Sequence, residues 1–145
     1  MTASFAPRLV YYATFLRNIP MKQILVVDDS ATMRRMVMSA LRDLKDVKFQ
    51  EASNGLEAIE RLVIASVDLM ILDLNMPEMH GLEVLQFVRT HPIYKSIPIL
   101  VLTTRGDEAS RCAALSAGAS SYLTKPFEPR SFVSQVAELL SYIPS

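Results

Sequence analysis

From Met21 onward, short and almost wholly apolar runs alternate with longer stretches whose apolar residues recur every three or four positions. Gln23–Val27, Asp68–Leu72, Ile97–Leu102 and Ser121–Thr124 are strand-like, and Val47–Ala52 is a shorter strand of alternating character. Continuous Val/Ile/Leu runs belong to parallel strands covered on both faces. Between them, Met33, Met36, Val37, Ala40, Leu41 and Leu44 fall on one helical face, as do Leu56, Ile59, Leu62 and Val63, and then Leu82, Val84, Leu85 and Val88. Ser30, Ala31 or Thr32 starts the first of these helices, and Asn54-Gly55 marks the turn into the second. The third opens at Gly81 and stops near His91-Pro92, because a residue before proline avoids helical backbone. Asp107 caps a helix running to about Ala117, and Gly118 suits the left-handed position after it. A last helix spans about Pro129 to Tyr142. Five strand–helix units with short loops predict an α/β fold. The expected form is a doubly wound, five-stranded parallel sheet in a three-layer α/β/α sandwich.

Four of the strand-like runs end on a reactive polar residue. Val26-Val27 leads into Asp28-Asp29, Ile71-Leu72 into Asp73, Val101-Leu102 into Thr103, and Tyr122-Leu123-Thr124 into Lys125-Pro126. Ligands of open α/β sheets bind beyond the carboxyl ends of the strands. If the four runs are parallel neighbours, three carboxylates, a hydroxyl and an ammonium converge on one small site.

Composition adds limits. Half of the 145 residues are hydrophobic and about a fifth are charged, as in an ordinary globular domain. Fifteen basic and fifteen acidic residues cancel, with no basic block to suggest nucleic acid. The single cysteine, Cys112, excludes an internal disulfide and a multi-cysteine zinc site, and is expected as a small buried helix residue. No run approaches the ~20 apolar residues that span a bilayer, so neither a membrane nor a nucleic-acid partner is expected. Residues 1–20 hold Arg8, Arg17 and no acid, and are expected as an extension outside the fold, with 21–145 as the domain. The extension adds nothing to the fold, reflects a start at Met21, or serves as an interaction arm.

Asp28, Asp29 and Asp73 packed together repel one another unless a cation intervenes. Lys125 supplies one positive charge, and a divalent ion balances the rest. Oxygen-only ligands select Mg²⁺, or Mn²⁺, over zinc or copper. Asp28-Asp29 alone also reads as a helix-capping pair, and Thr103 alone as ordinary strand propensity. In company, Asp73 is the candidate nucleophile toward phosphorus, giving an aspartyl phosphate. A cation, Lys125 and the Thr103 hydroxyl would neutralise the equatorial oxygens.

The stretches Ile24–Val37, Met70–Leu85 and Ala117–Phe127 resemble the receiver domain of two-component response regulators, most of all the small CheY-like chemotaxis type, whose fold is flavodoxin-like. The spacings of 44, 30 and 22 residues between Asp29, Asp73, Thr103 and Lys125 are also similar to that family's. The resemblance implies Asp73 as phosphoacceptor and Asp28, Asp29, Asp73 and the Asn75 carbonyl as Mg²⁺ ligands. Thr103 and Lys125 would hold the phosphoryl group, Tyr122 would be the switch aromatic, and Lys125–Pro126 would be cis. It also implies a histidine kinase as phosphodonor and a cytoplasmic signalling role without enzymatic turnover. The implied readout face is the fourth helix, fifth strand and fifth helix, with Arg111, Tyr122, Arg130 and Gln135.

With the chain ending at Ser145, output is expected through a partner protein, such as a flagellar motor switch or a phosphotransfer protein. The alternatives are a phosphorelay carrier, a phosphorylation-independent scaffold, or an aspartyl-phosphate phosphatase. The last expects Asp-x-Asp-x-Thr, where this chain has Asp73-Leu74-Asn75-Met76-Pro77. Three positions depart from the family pattern. His80 stands where an acid is common, Thr104 where a small residue is common, and Arg105 flanks the site, where it is expected to alter the lifetime of the phosphorylated state.

Overall fold

The computed structural model describes residues 21–77 and 79–141. The extension 1–20 and the expected helix end at Tyr142 lie outside the described residues. Strands β1 (Lys22–Val27), β2 (Val47–Ala52), β3 (Leu69–Leu72), β4 (Ile99–Thr103) and β5 (Ser121–Thr124) alternate with five helices. These are α1 (Ala31–Ala40), α2 (Gly55–Ile64), α3 (Gly81–Thr90), α4 (Glu108–Ser116) and α5 (Pro129–Ser141). All strand pairs are parallel, in the order β2-β1-β3-β4-β5. The chain steps from β1 outward to β2, then crosses back over β1 to β3. That reversal opens a crevice between the carboxyl ends of β1 and β3.

The apolar runs are continuous because successive residues serve opposite layers. Leu25, Val27, Met70, Leu72, Ile99 and Val101 pack with Ala58, Leu62, Val84, Leu85, Val88 and Ala114 of α2, α3 and α4. Ile24, Val26, Leu69, Ile71, Leu100 and Leu102 pack instead with Val37 of α1, Leu41, and Phe132 and Val136 of α5. The outer strand β2 is more polar and only partly buried, with Lys48 and Glu51 exposed, as suits an edge.

Helix starts follow the capping chemistry. Ser30, Asn54 and Asp107 each accept the backbone N–H three residues on. Gly118 has φ +110°, and its carbonyl accepts from Arg89 Nε at 2.8 Å. A Cβ at Gly118 would lie 2.6 Å from Arg89 Cγ, so a side chain there meets both a disfavoured backbone and a filled space. Arg89 also donates to the carbonyls of Lys95 and Ile97, tying the end of α3 to the loop before β4.

Three expectations about helix faces are corrected. Met36 is 52% exposed, and Leu56 and Val63 are 53% and 67% exposed. The innermost residues are Val37 in α1 and Gly55, Ala58 and Leu62 in α2, from which Met36, Leu56 and Val63 lie about 100° round the helix. Cys112 is exposed on α4, two residues from Ala114, the buried residue of that helix.

Candidate functional site

Strand register sets the site. Val27 pairs with Leu72, so the residues that follow, Asp28 and Asp73, leave the sheet side by side. The Asp73 N–H donates to the Val27 carbonyl and the Lys125 N–H to the Thr103 carbonyl, extending each ladder one step past the strand. Carboxylate oxygens of Asp28, Asp29 and Asp73 all lie within 4.8 Å of one another. Lys125 Nζ sits 2.6 Å from Asp28 Oδ2 and 3.7 Å from Asp73 Oδ2. The peptide Lys125–Pro126 is cis.

Asp28 and Asp73 are buried, while Asp29 is exposed. Asp28 Oδ1 accepts the Ser30 N–H at 2.9 Å, and Asp73 Oδ1 accepts the Asn75 N–H at 3.3 Å. Burial pushes the Asp73 carboxyl above the usual carboxylate range, and neighbouring Asp28 adds to the rise. Lys125, the Asn75 N–H and the Thr103 hydroxyl pull the other way without cancelling it. The cluster thus has a net charge of about −2 in its ionised form. Its donors are all hard oxygens at one open edge, a set that fits a divalent cation such as Mg²⁺.

Thr103 is fully buried, and its Oγ1 accepts the Arg105 N–H at 3.4 Å. Tyr122 stands one strand away, and its hydroxyl donates to the Arg105 carbonyl. Thr104 Oγ1 accepts from Asn75 Nδ2 at 3.3 Å, linking the loops after β3 and β4. His80 precedes α3 without capping it through its side chain. Helix α3 starts tight against the acidic strand end. A Cβ on Gly81 would lie 2.6 Å from the Asp73 carbonyl oxygen.

On the expected readout face, Arg111 and Arg130 are exposed, and Arg111 pairs with Glu108 at 3.4 Å. Gln135 accepts a hydrogen bond from Ser121 Oγ. Sequence reasoning missed Arg34, which donates from Nη1 to the Asp28 carbonyl at 2.6 Å and from Nε to Glu51 Oε1 at 2.9 Å. It also missed the Ser30 N–H as a partner of Asp28. Nothing in the run Met33-Arg34-Arg35-Met36 tells which arginine turns back toward the strand end.

Among the described residues, no helix is long and apolar enough to cross a membrane. The family model of the response regulator receiver domain matches residues 24–137. The chain is 44% identical over 109 residues to the chemotaxis protein CheY1 of Helicobacter pylori, covering 74% of this chain and 88% of that one. It is 40% identical over 119 residues to the CheY homologue of Campylobacter jejuni, covering 81% and 92%. The high-resolution structure of the chemotaxis response regulator CheY4 of Vibrio cholerae superposes with a TM-score of 0.75 at 36% identity, covering 83% of this chain and 99% of that one. Sheet order, site geometry and sequence agree, and the chain belongs to the response regulator receiver domains, of the CheY-like kind.

Proposed function

We propose that this receiver is a phosphorylation-controlled switch, charged on Asp73 by a histidine kinase and read by a partner protein in chemotaxis. The observation that carries the reading is the convergence of three carboxylates and one largely buried ammonium at the β1–β3 crevice. An oxygen of Asp73 attacks phosphorus in line, the phosphorus–nitrogen bond to the donor histidine breaks, and the imidazole leaves with that electron pair. The product is an acyl phosphate, whose charge is about −2 where the carboxylate carried −1. Asp28, Asp29, Asp73 and the Asn75 carbonyl would hold Mg²⁺, which supplies charge neutralisation at the transferring group.

Lys125 is already within 3.7 Å of Asp73 and pairs with the new oxygens. The Thr103 hydroxyl donates to them, drawing on the loop whose Arg105 carbonyl holds Tyr122. A local charge event thereby biases the β4–α4 loop and the α4–β5–α5 face, the surface we assign to the partner. Hydrolysis of the acyl phosphate resets the site, so the chain acts as a cytoplasmic signalling component without catalysing turnover of a separate substrate.

Phosphotransfer from candidate histidine kinases tests this, with Mg²⁺ present or chelated and Asp73→Asn as control. Label is expected on the parent with Mg²⁺, and on neither the chelated sample nor Asp73→Asn. Label on Asp73→Asn would overturn the assignment. Partner capture with the phosphoryl mimic beryllofluoride, followed by identification of the bound protein, separates a motor or enzyme target from a relay histidine.

A further inference from the structure

The carboxylates of the site are not held alike. Asp28 is pinned at both oxygens, Oδ1 by the Ser30 N–H and Oδ2 by Lys125. Among the described residues, the Asp29 carboxylate enters no hydrogen bond or ion pair, so its place depends on the backbone that carries it. The peptide joining Asp28 to Asp29 has its carbonyl fixed by Arg34 Nη1 at 2.6 Å. The Arg34 side chain is only 15% exposed, and its Nε is held by Glu51 Oε1 at 2.9 Å. One planar guanidinium therefore spans from the end of β2 to the turn after β1. A rigid fork of donors makes two such directed bonds where a lysine makes one point contact.

A cation beside a cation site carries an electrostatic penalty. Arg34 would oppose a divalent ion at Asp28, Asp29 and Asp73 were its charge not cancelled. Glu51 cancels it at contact distance. Two effects of opposite sign thus meet in Arg34. As a charge it repels the metal, and as a clamp it orders a metal ligand.

We propose that Arg34 is a positioning residue for divalent-cation binding, clamping the Asp28–Asp29 peptide while Glu51 neutralises it. The proposal rests on the metal role given to the acidic cluster under the proposed function. Partners that orient metal ligands from outside the coordination shell typically change affinity by about 10–100-fold when removed.

The test is calorimetric titration of MgCl₂ into the unphosphorylated full chain, with circular dichroism to hold the comparison to folded protein. Mg²⁺ binding by the parent and its loss in Asp29→Asn report on the metal site itself. The ratio between the parent and Arg34→Met reports on the clamp. Arg34→Met is expected to bind Mg²⁺ about tenfold more weakly. Equal or tighter binding, the outcome for a mere neighbouring charge, would overturn the proposal. Glu51→Gln keeps the arginine and frees its charge. Its Mg²⁺ affinity is expected to fall at low salt, with the difference from the parent shrinking as the Debye length contracts from ~30 Å at 0.01 M to ~3 Å at 1 M salt. An unchanged affinity in Glu51→Gln at low salt would remove the neutralising role.

Discussion

Lys125 is the residue on which the charge balance of the site turns. Its side chain, 9% exposed, lies against two buried carboxylates. Removing one partner of such a group leaves uncompensated charge and typically costs about 3–5 kcal/mol. Lys125→Met should therefore lower the unfolding free energy of the metal-free protein, read from urea titration, by an amount in that range, and added Mg²⁺ should restore part of the loss. Asp73 gives a prediction of opposite sign. Its folded pKa is raised, first by burial, so between the unfolded and folded pKa values the native state holds the extra proton and stability falls as pH rises. The cost is absent below the usual carboxylate range and grows as pH rises through the folded pKa. Asp73→Asn should be more stable than the parent at neutral pH without metal, and the gain should vanish by about pH 3. Urea titrations of both proteins at the two pH values check this, and a gain independent of pH would contradict it. The acids, the lysine and the threonine were legible in sequence because each terminates an apolar run. Arg34 and Arg89 were not, because each acts by reaching a backbone carbonyl, and acceptors of that kind carry no sequence signature.

The elements were legible for a related reason. Residues Ile24–Val27, Leu69–Leu72 and Ile99–Leu102 are apolar without interruption because each strand is covered on both faces. Helix faces were harder to read. In α2 the inward face is set by Gly55 and Ala58, small residues that bring the helix close to its neighbours, and the larger Leu56 and Val63 fall on the flank. Size misleads where closeness decides. Asn54, whose side chain accepts the Glu57 N–H at 2.8 Å, caps this helix. Asn54→Ala should cost about 1 kcal/mol in a denaturant titration, and Asn54→Asp should recover most of it.

At the scale of the molecule, the order β2-β1-β3-β4-β5 is what places Asp28 and Asp29 beside Asp73. Sequence alone predicted parallel neighbours. The resemblance implied a doubly wound sheet, and the fold places its reversal at β1. If the crevice it opens binds Mg²⁺ in the native state alone, the metal must stabilise the whole domain by mass action. The gain should be about 2.7 kcal/mol at a hundred times the dissociation constant. Thermal denaturation with MgCl₂ and then with chelator should show the gain appear and disappear, and Asp29→Asn should show little of either.

Asp28 and Lys125 touch across 97 residues of chain, and Asp73 enters from a third strand. If Asp73 is the phosphoacceptor we propose, no fragment of the domain carries a working one. A nascent or half-unfolded copy has its aspartates but not their assembly, and under the proposed phosphotransfer it would stay silent to a kinase. On that reading the fold would act as its own quality control, because a copy would have to be whole before it could be phosphorylated.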